Sequence, residues 1–288
     1  MKLCAFTVCM PEYTPQEAAA KLSRWGFDGV EWRVHEPPLP GAPVQSFWNG
    51  NRCSIAPKTI MEQAPELRSL CRKHKLAMPV LASYLGYKDL DLAERVMEAA
   101  AVLGTKGVRI GVERYDGRMR YSKLLARTAK GWQKVVRLGE KYRVKPLAEI
   151  HMGTIIPSAS AATHFAGHFS PQEMGIIHDA GNMVHEGYEN WQMGVEILGR
   201  YLAHVHVKNA SWSIAAADPD GNLRWSPASD TLRRGRVDWA DVIGALDKVR
   251  YRGWLSLEDF GPGATDAKLK DDAKYLRRLL NKGKRRRK

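Results

Sequence analysis

The 288-residue sequence has no C-x-x-C pair: its four cysteines, Cys4, Cys9, Cys53 and Cys71, are scattered, which excludes a zinc ribbon or a dithiol redox motif. Small, apolar cysteine is commonly an interior residue, so buried free thiols are expected. No apolar run approaches the roughly 20 residues that cross a bilayer. The start, MKLCAFTVCMPEYT, carries one lysine and a short apolar stretch broken by Pro11, and it reads as a first strand rather than a secretion signal. A cytoplasmic location is therefore the expectation. No G-x-G-x-x-G follows the first strand, which argues against a dinucleotide-binding open sheet. No composition break or linker divides the chain.

Acidic residues are outnumbered, and the net charge is +14. Six of these charges belong to Lys282, Lys284, Arg285, Arg286, Arg287 and Lys288. That stretch has no interleaved aromatics on which bases could stack. It reads as a solvated, disordered tail over 282–288, and nucleic acid is not an expected partner. The remaining excess suits an anionic substrate.

Short β-rich runs alternate with longer amphipathic stretches, a pattern that predicts βαβ units and a parallel sheet. Strands are predicted at Leu3–Val8, Gly29–Arg33, Leu76–Ala82, Gly107–Gly111, Lys145–Ile150, Met174–Asp179, Ala203–Lys208 and Trp254–Asp259. Helices are predicted between them, the first capped by Thr14 with Pro15 at its first position and the last running from about Ala264 to Leu280. Two connections are long, Glu36–Pro57 after the second strand and Asn209–Arg236 after the seventh. Eight strands alternating with eight helices predict one (β/α)8 TIM barrel over residues 1–281, with extended loops after strands 2 and 7.

In such barrels the chemistry sits at the C-terminal strand ends. The fifth strand, PLAEIH, offers Glu149 and His151; the sixth, GIIHDAGN, offers Asp179; the seventh, AHVHVKN, offers His206; the eighth, LSLEDF, offers Glu258. Inward side chains from consecutive strands about 4.8 Å apart converge on one point. Three carboxylates there repel one another unless a cation joins them. With one imidazole they suit manganese first, with magnesium, cobalt or zinc as alternatives. Singly, each residue has a plainer reading: Asp179 as a helix cap, His204 or His206 as a satisfied core histidine. Arg33 and Arg109 fit either substrate contact or pairing with an acid such as Glu31 or Glu113. Lys208 is placed to contact an oxyanion, and His151 to bind a hydroxyl or act as an acid. Trp48, Trp212 and Trp225 fall in the long loops, where they suit a lid or a subunit contact, so a homo-oligomer is expected.

The segments LAEIH, HDAGNMVHEG, LAHVHVKN, GRVDW and LSLEDF resemble the xylose isomerase-like barrel family, in particular its sugar (phosphate) isomerase/epimerase branch, and the likeness covers nearly the whole chain. The resemblance implies one divalent ion on Glu149, Asp179, His206 and Glu258, with Glu149 and Glu258 also moving protons on opposite faces of a substrate carbon. The implied substrate is a sugar or sugar-like polyol, and the implied route an enediolate. Two positions depart from the family pattern. Asn182 stands where a histidine is frequent, with His185 nearby as a replacement; both are expected to touch substrate. Arg236 stands where a small or acidic residue is usual.

A metal-dependent lyase or dehydratase acting on a keto-sugar or keto-inositol is the alternative, with His151 and His185 as extra acids and a second type of subunit as a possible partner. A non-catalytic binding barrel is disfavoured by Glu149 and Glu258, which a mere scaffold does not need. An AP endonuclease-like enzyme is disfavoured by Asn182 and by the lack of histidine across 211–236.

Overall fold

The computed structural model describes residues 1–39 and 41–285. Eight strands, β1 (Lys2–Phe6), β2 (Gly29–Val34), β4 (Val80–Gly86), β5 (Gly107–Gly111), β6 (Lys145–Glu149), β7 (Gly175–Asp179), β8 (Leu202–Val207) and β11 (Trp254–Leu257), pair in parallel in sequence order. Pairing of β1 with both β11 and β2 closes the ring, so the fold is a TIM barrel. The helices α1 (Pro15–Arg24), α2 (Ile60–Lys73), α3 (Leu90–Leu103), α4 (Tyr121–Tyr142), α5 (Ala159–Ala166), α7 (Trp191–Leu198), α8 (Trp239–Lys248) and α9 (Thr265–Arg285) surround it. Local chemistry sets their ends. Thr14 and Glu17 form a reciprocal capping box at α1, and Asp238 accepts two backbone N–H bonds at the start of α8. The layer between strands and helices is apolar: Trp32, Trp132, Phe165 and Trp239 are among its largest buried side chains, and Trp132 meets Phe165 edge to face at 5.4 Å. All four cysteines are buried and free.

Several boundaries differ from the sequence reading, each for a local reason. The first strand ends at Phe6, because Thr7–Cys9 tighten into a 3-10 turn. The third barrel strand starts four residues later than expected. Ala77 makes a single bridge to Gly29, and Pro79, which has no N–H to donate, ends that pairing before β4 begins. The loop after β2 contains β3 (Ser54–Ile55), which lies beside Arg33 and Val34. The long segment after β8 is no coil. It forms an antiparallel hairpin of β9 (Asn209–Ala217) and β10 (Leu223–Asp230) that leaves Ile214, Leu223 and Trp225 exposed. A one-and-a-half-turn helix, α6 (Ala180–His185), follows β7 directly. Helix α9 continues to Arg285, so residues 282–285 of the expected disordered tail are helical, while 286–288 lie outside the described residues. Among the described residues no helix is long and apolar enough to cross a membrane.

A buried carboxyl pair lies beside the eighth strand end. Asp272 of α9 is 4% exposed beside the carboxyl of Asp259, one of its oxygens without a hydrogen bond. Burial, then the hydrogen bond and charge of Asp259, push its pKa up to about 8. The folded state thus keeps a proton that the unfolded chain releases near its ordinary value of 3.8. The stability this gives is present below that value and is lost as pH rises toward 8. Asp272→Asn keeps the neutral form at every pH. Its melting temperature is expected to exceed that of the wild type by a few degrees at pH 8.5 and to match it near pH 4, a comparison that thermal unfolding followed by circular dichroism decides.

Candidate metal centre

Four strand ends bring Glu149 (β6), Asp179 (β7), His206 (β8) and Glu258 (just after β11) together at the C-terminal mouth of the barrel, with one ligand atom from each within 4.8 Å of the others. His206 Nδ1 lies 2.9 Å from Glu149 Oε1, 2.9 Å from Glu258 Oε1 and 3.7 Å from Asp179 Oδ2. All four residues are at most 7% exposed. Asp179 divides its oxygens: Oδ1 caps α6 by accepting the Asn182 N–H at 2.8 Å, and Oδ2 turns to the cluster. The cap and the inward carboxylate, rival readings in the sequence, are two ends of one side chain.

The charges around the cluster decide its protonation. Burial opposes ionisation of Glu149, but Arg109 at 2.8 Å, His206 and Lys208 outweigh it and hold this carboxyl well below the ordinary range. Glu258 is likewise lowered, against burial, by His206 and by Lys208 at 2.8 Å. Asp179 is raised by burial and by its two acidic neighbours despite Lys208 Nζ at 2.7 Å. His206 is raised well above the ordinary imidazole value: burial opposes the charge, and Glu258, Glu31 and Glu149 overcome it.

A divalent ion fits this donor set. Asp179 Oδ2 and Glu258 Oε1 are buried and accept no hydrogen bond, although cationic groups stand near them. With Lys208 Nζ 2.7 Å from the first and His206 Nδ1 2.9 Å from the second as ion-pair neighbours only, both oxygens keep acceptor capacity that a further cation can use. One imidazole nitrogen and three carboxylate oxygens suit a hard or borderline divalent cation.

The other expected site residues separate into two groups. His151, Asn182, His185, Lys208 and Arg109 line a cavity of about 90 Å³ above the cluster. Within it, the Asn182 Nδ2 donates to Glu149 Oε1 (3.3 Å) and the Ile150 carbonyl (3.0 Å), so this side chain orients a carboxylate from the cavity wall. Lys208 is held by Asp179 and Glu258. A Cβ at Gly181 would lie 2.4 Å from its Cγ, so only glycine lets α6 rest against it. Arg33 is outside the cavity wall. It is 1% exposed and donates to the Trp48 carbonyl at 2.8 Å, with Tyr84 lying between it and Arg109 at 5.0 and 4.6 Å from the two guanidinium carbons. Neither arginine pairs with Glu31 or Glu113; Arg109 has Glu149, and Glu113 has Tyr87, Lys88 and Arg127.

Three further features differ from or go beyond the sequence reading, which gave Trp48 as a lid or contact residue and Glu31 as an arginine's partner. Trp48 and Phe47 pack on Phe260 at 4.9 and 5.0 Å, and Trp48 and Phe260 roof the cavity. Glu31 lies beneath His206, and its signal was available: an acid inside the apolar run Gly29–Val34. A larger cavity, about 680 Å³, opens at the opposite end of the barrel. His204 reaches its floor, but none of the clustered ligand candidates does.

Residues 19–279 match the family described as xylose isomerase-like TIM barrel. The chain is 26% identical over 113 residues to the rhizopine catabolism protein MocC of Rhizobium meliloti, covering 38% of this chain and 34% of that protein. It is 23% identical over 139 residues to the inosose dehydratase of Histophilus somni (strain 129Pt), covering 45% and 46%. The matched stretch thus spans a third to a half of these curated relatives. Solved structures of similar fold include a D-tagatose 3-epimerase-like protein (TM-score 0.74, 16% identity, 100% of both chains). A xylose isomerase-like TIM barrel protein from Mycobacterium smegmatis in complex with magnesium has TM-score 0.71 and 16% identity over 98% of this chain and 97% of that one. The IOLI protein with a bound zinc atom has TM-score 0.72 and 14% identity over 98% of each. At these identities the likeness is one of fold.

Because Glu258, Glu31 and Glu149 favour the protonated form of His206 against its burial, an ion that takes Nδ1 competes with a proton there. Calorimetric titration of Mn²⁺ in buffers of different ionisation heat is expected to show about one proton released per ion. Affinity is expected to rise by up to about tenfold per pH unit below the histidine's raised pKa. Binding with no proton release and no pH dependence would remove His206 from the ligand set.

Proposed function

The chain belongs to the xylose isomerase-like TIM barrel family, and from that premise we propose that it is a divalent-metal-dependent sugar or sugar phosphate isomerase/epimerase. Glu149, Asp179, His206 and Glu258 hold the ion, with manganese as the first candidate. When bound there, such an ion polarises a substrate carbonyl and its neighbouring hydroxyl and so acidifies the C–H between them.

The observation that carries this reading is the placement of the two glutamates. Glu149 follows from β6 and Glu258 from β11, and β7 and β8 stand between them in the ring. Their carboxylates converge beside His206 from strands three apart in the ring, each with an oxygen 2.9 Å from its Nδ1. One carboxylate removes the proton from a substrate carbon, and the other, after taking a proton from solvent, delivers it to the opposite face of that carbon, which inverts it; the first then returns its proton to solvent. Delivery to the adjacent carbon instead moves the carbonyl. Arg109 on Glu149 and Lys208 on Glu258 fix the orientation of each base at 2.8 Å. His151 and His185 on the cavity wall are placed for substrate hydroxyls. The space present, about 90 Å³, is below the roughly 300–1,000 Å³ of most ligand sites, so the Trp48–Phe260 roof has to shift when substrate enters.

The same wall supports a second reading. His151 and His185 can protonate a departing hydroxyl, which makes the enzyme a dehydratase or lyase for a keto-sugar or keto-inositol. The match to an inosose dehydratase agrees with that reading.

Incubating the Mn²⁺-loaded protein in D₂O with ketoses, ketose phosphates and 3-keto-sugars separates the two. The first reading expects deuterium at one carbon of a recovered isomer, and a loss of at least about 100-fold in Glu258→Gln. An unsaturated product absorbing in the ultraviolet, with water lost, establishes the second. Neither deuterium nor product with any of these substrates would sink both.

A further inference from the structure

Glu31 is not exposed at all and belongs to no group discussed so far as a ligand or base. It projects from β2 into the barrel and meets two imidazoles of β8. Its Oε2 lies 2.9 Å from His204 Nε2 and its Oε1 lies 3.1 Å from His206 Nε2. Both oxygens are thus occupied, each by a different ring.

We propose that Glu31 is a positioning residue for the metal centre: by accepting the Nε2–H of His206 it fixes that ring so that Nδ1, and not Nε2, is presented to the ion. The inference rests on the metal reading above and deepens it. The geometry is specific. Nε2 faces Glu31, and the opposite nitrogen alone faces Glu149, Glu258 and Asp179. A carboxylate on the far nitrogen of a ligating histidine sets its tautomer and makes the ligating nitrogen more basic. His204 completes the device. Its hydrogen bond occupies the second oxygen of Glu31, so the carboxylate plane cannot rotate away from His206. Phe6, 5.7 Å from the His206 ring, limits the remaining tilt. The structure gives Glu31 no task in binding substrate: it is absent from the wall of the cavity above the cluster.

A competing assignment is available from the same atoms. Cys4, Glu31 and His204 also lie within 4.8 Å of one another and have the composition of a three-ligand site. Glu31 would then be a ligand in its own right. We favour the positioning role because Glu31 Oε1 engages Nε2 of His206, the far side of the very ring whose Nδ1 faces the other three carboxylates, and because Cys4 Sγ has the Leu255 carbonyl as partner at 3.8 Å.

The test uses the full chain and Co²⁺, whose visible d–d bands report ligand geometry. Wild type is expected to bind one Co²⁺. Glu31→Gln and Glu31→Ala, checked as folded by circular dichroism, are expected to bind it about 10–100-fold more weakly and with altered bands. Glu31→Asp is expected to fall between these variants and wild type. Folded Glu31→Ala with wild-type affinity and bands overturns the inference and leaves the four-ligand centre standing. Absence of Co²⁺ binding to wild type overturns the four-ligand centre and this inference together. A second bound ion that is lost in Cys4→Ser makes Glu31 a ligand, and overturns the positioning role. If the Glu31 variants do not fold, wild type alone still decides. With ¹¹³Cd²⁺ and ¹⁵N-labelled histidine, cadmium coupling to His206 Nδ1 together with a protonated Nε2 supports the inference, and coupling to Nε2 overturns it.

Discussion

Four carboxylates buried in one barrel mouth are the constraint around which the rest is arranged. Glu31, Glu149, Asp179 and Glu258 are each at most 7% exposed, and taking unpaired carboxylates out of water is prohibitively costly. Three cationic groups answer them. Arg109 meets Glu149, Lys208 meets Asp179 and Glu258, and His206 is surrounded by all four. The compensation is incomplete by two oxygens, those of Asp179 and Glu258 that accept no hydrogen bond. An interior that invests this many ion pairs gains little stability from them. Their concentration at the strand ends, where barrel chemistry is done, makes sense as a site kept ready for a further cation.

Much of this was legible in the sequence. The alternation of apolar runs and amphipathic stretches marked eight strands and their order, because burial on both faces of a barrel strand writes a nearly continuous apolar run. An acid inside such a run, as in Leu147-Ala148-Glu149-Ile150, is conspicuous for the same reason. What escaped was of two kinds. Boundaries moved where a single backbone feature overrides composition, as Pro79 does before β4 and as the turn at Thr7–Cys9 does after β1. The β9–β10 hairpin was hidden because most of its residues face solvent, so no buried face imposes alternation on SWSIAAADPDGNLRWSP.

Glu31 shows a different limit. Its strand, GVEWRV, has the same acid-in-apolar signature as the fifth, but its partners are 173 and 175 residues away. A sequence shows that such a carboxylate needs a partner and is silent on which one. Pairing Arg33 or Arg109 with it was the local guess. Ring closure assigned it instead to two histidines across the barrel, and gave the arginines to Glu149 and the Trp48 carbonyl.

That separation bears on the order in which the molecule can be made. During synthesis β2 emerges long before β8, and until His204 and His206 arrive Glu31 has neither of the donors that hold it in the interior. A carboxyl buried without those donors is left either as an unpaired charge or as a protonated acid, and both are costly. The bond between the second and seventh staves of the barrel thus acts as a late latch. It couples the ring orientation of His206 to a contact that only the closed barrel supplies.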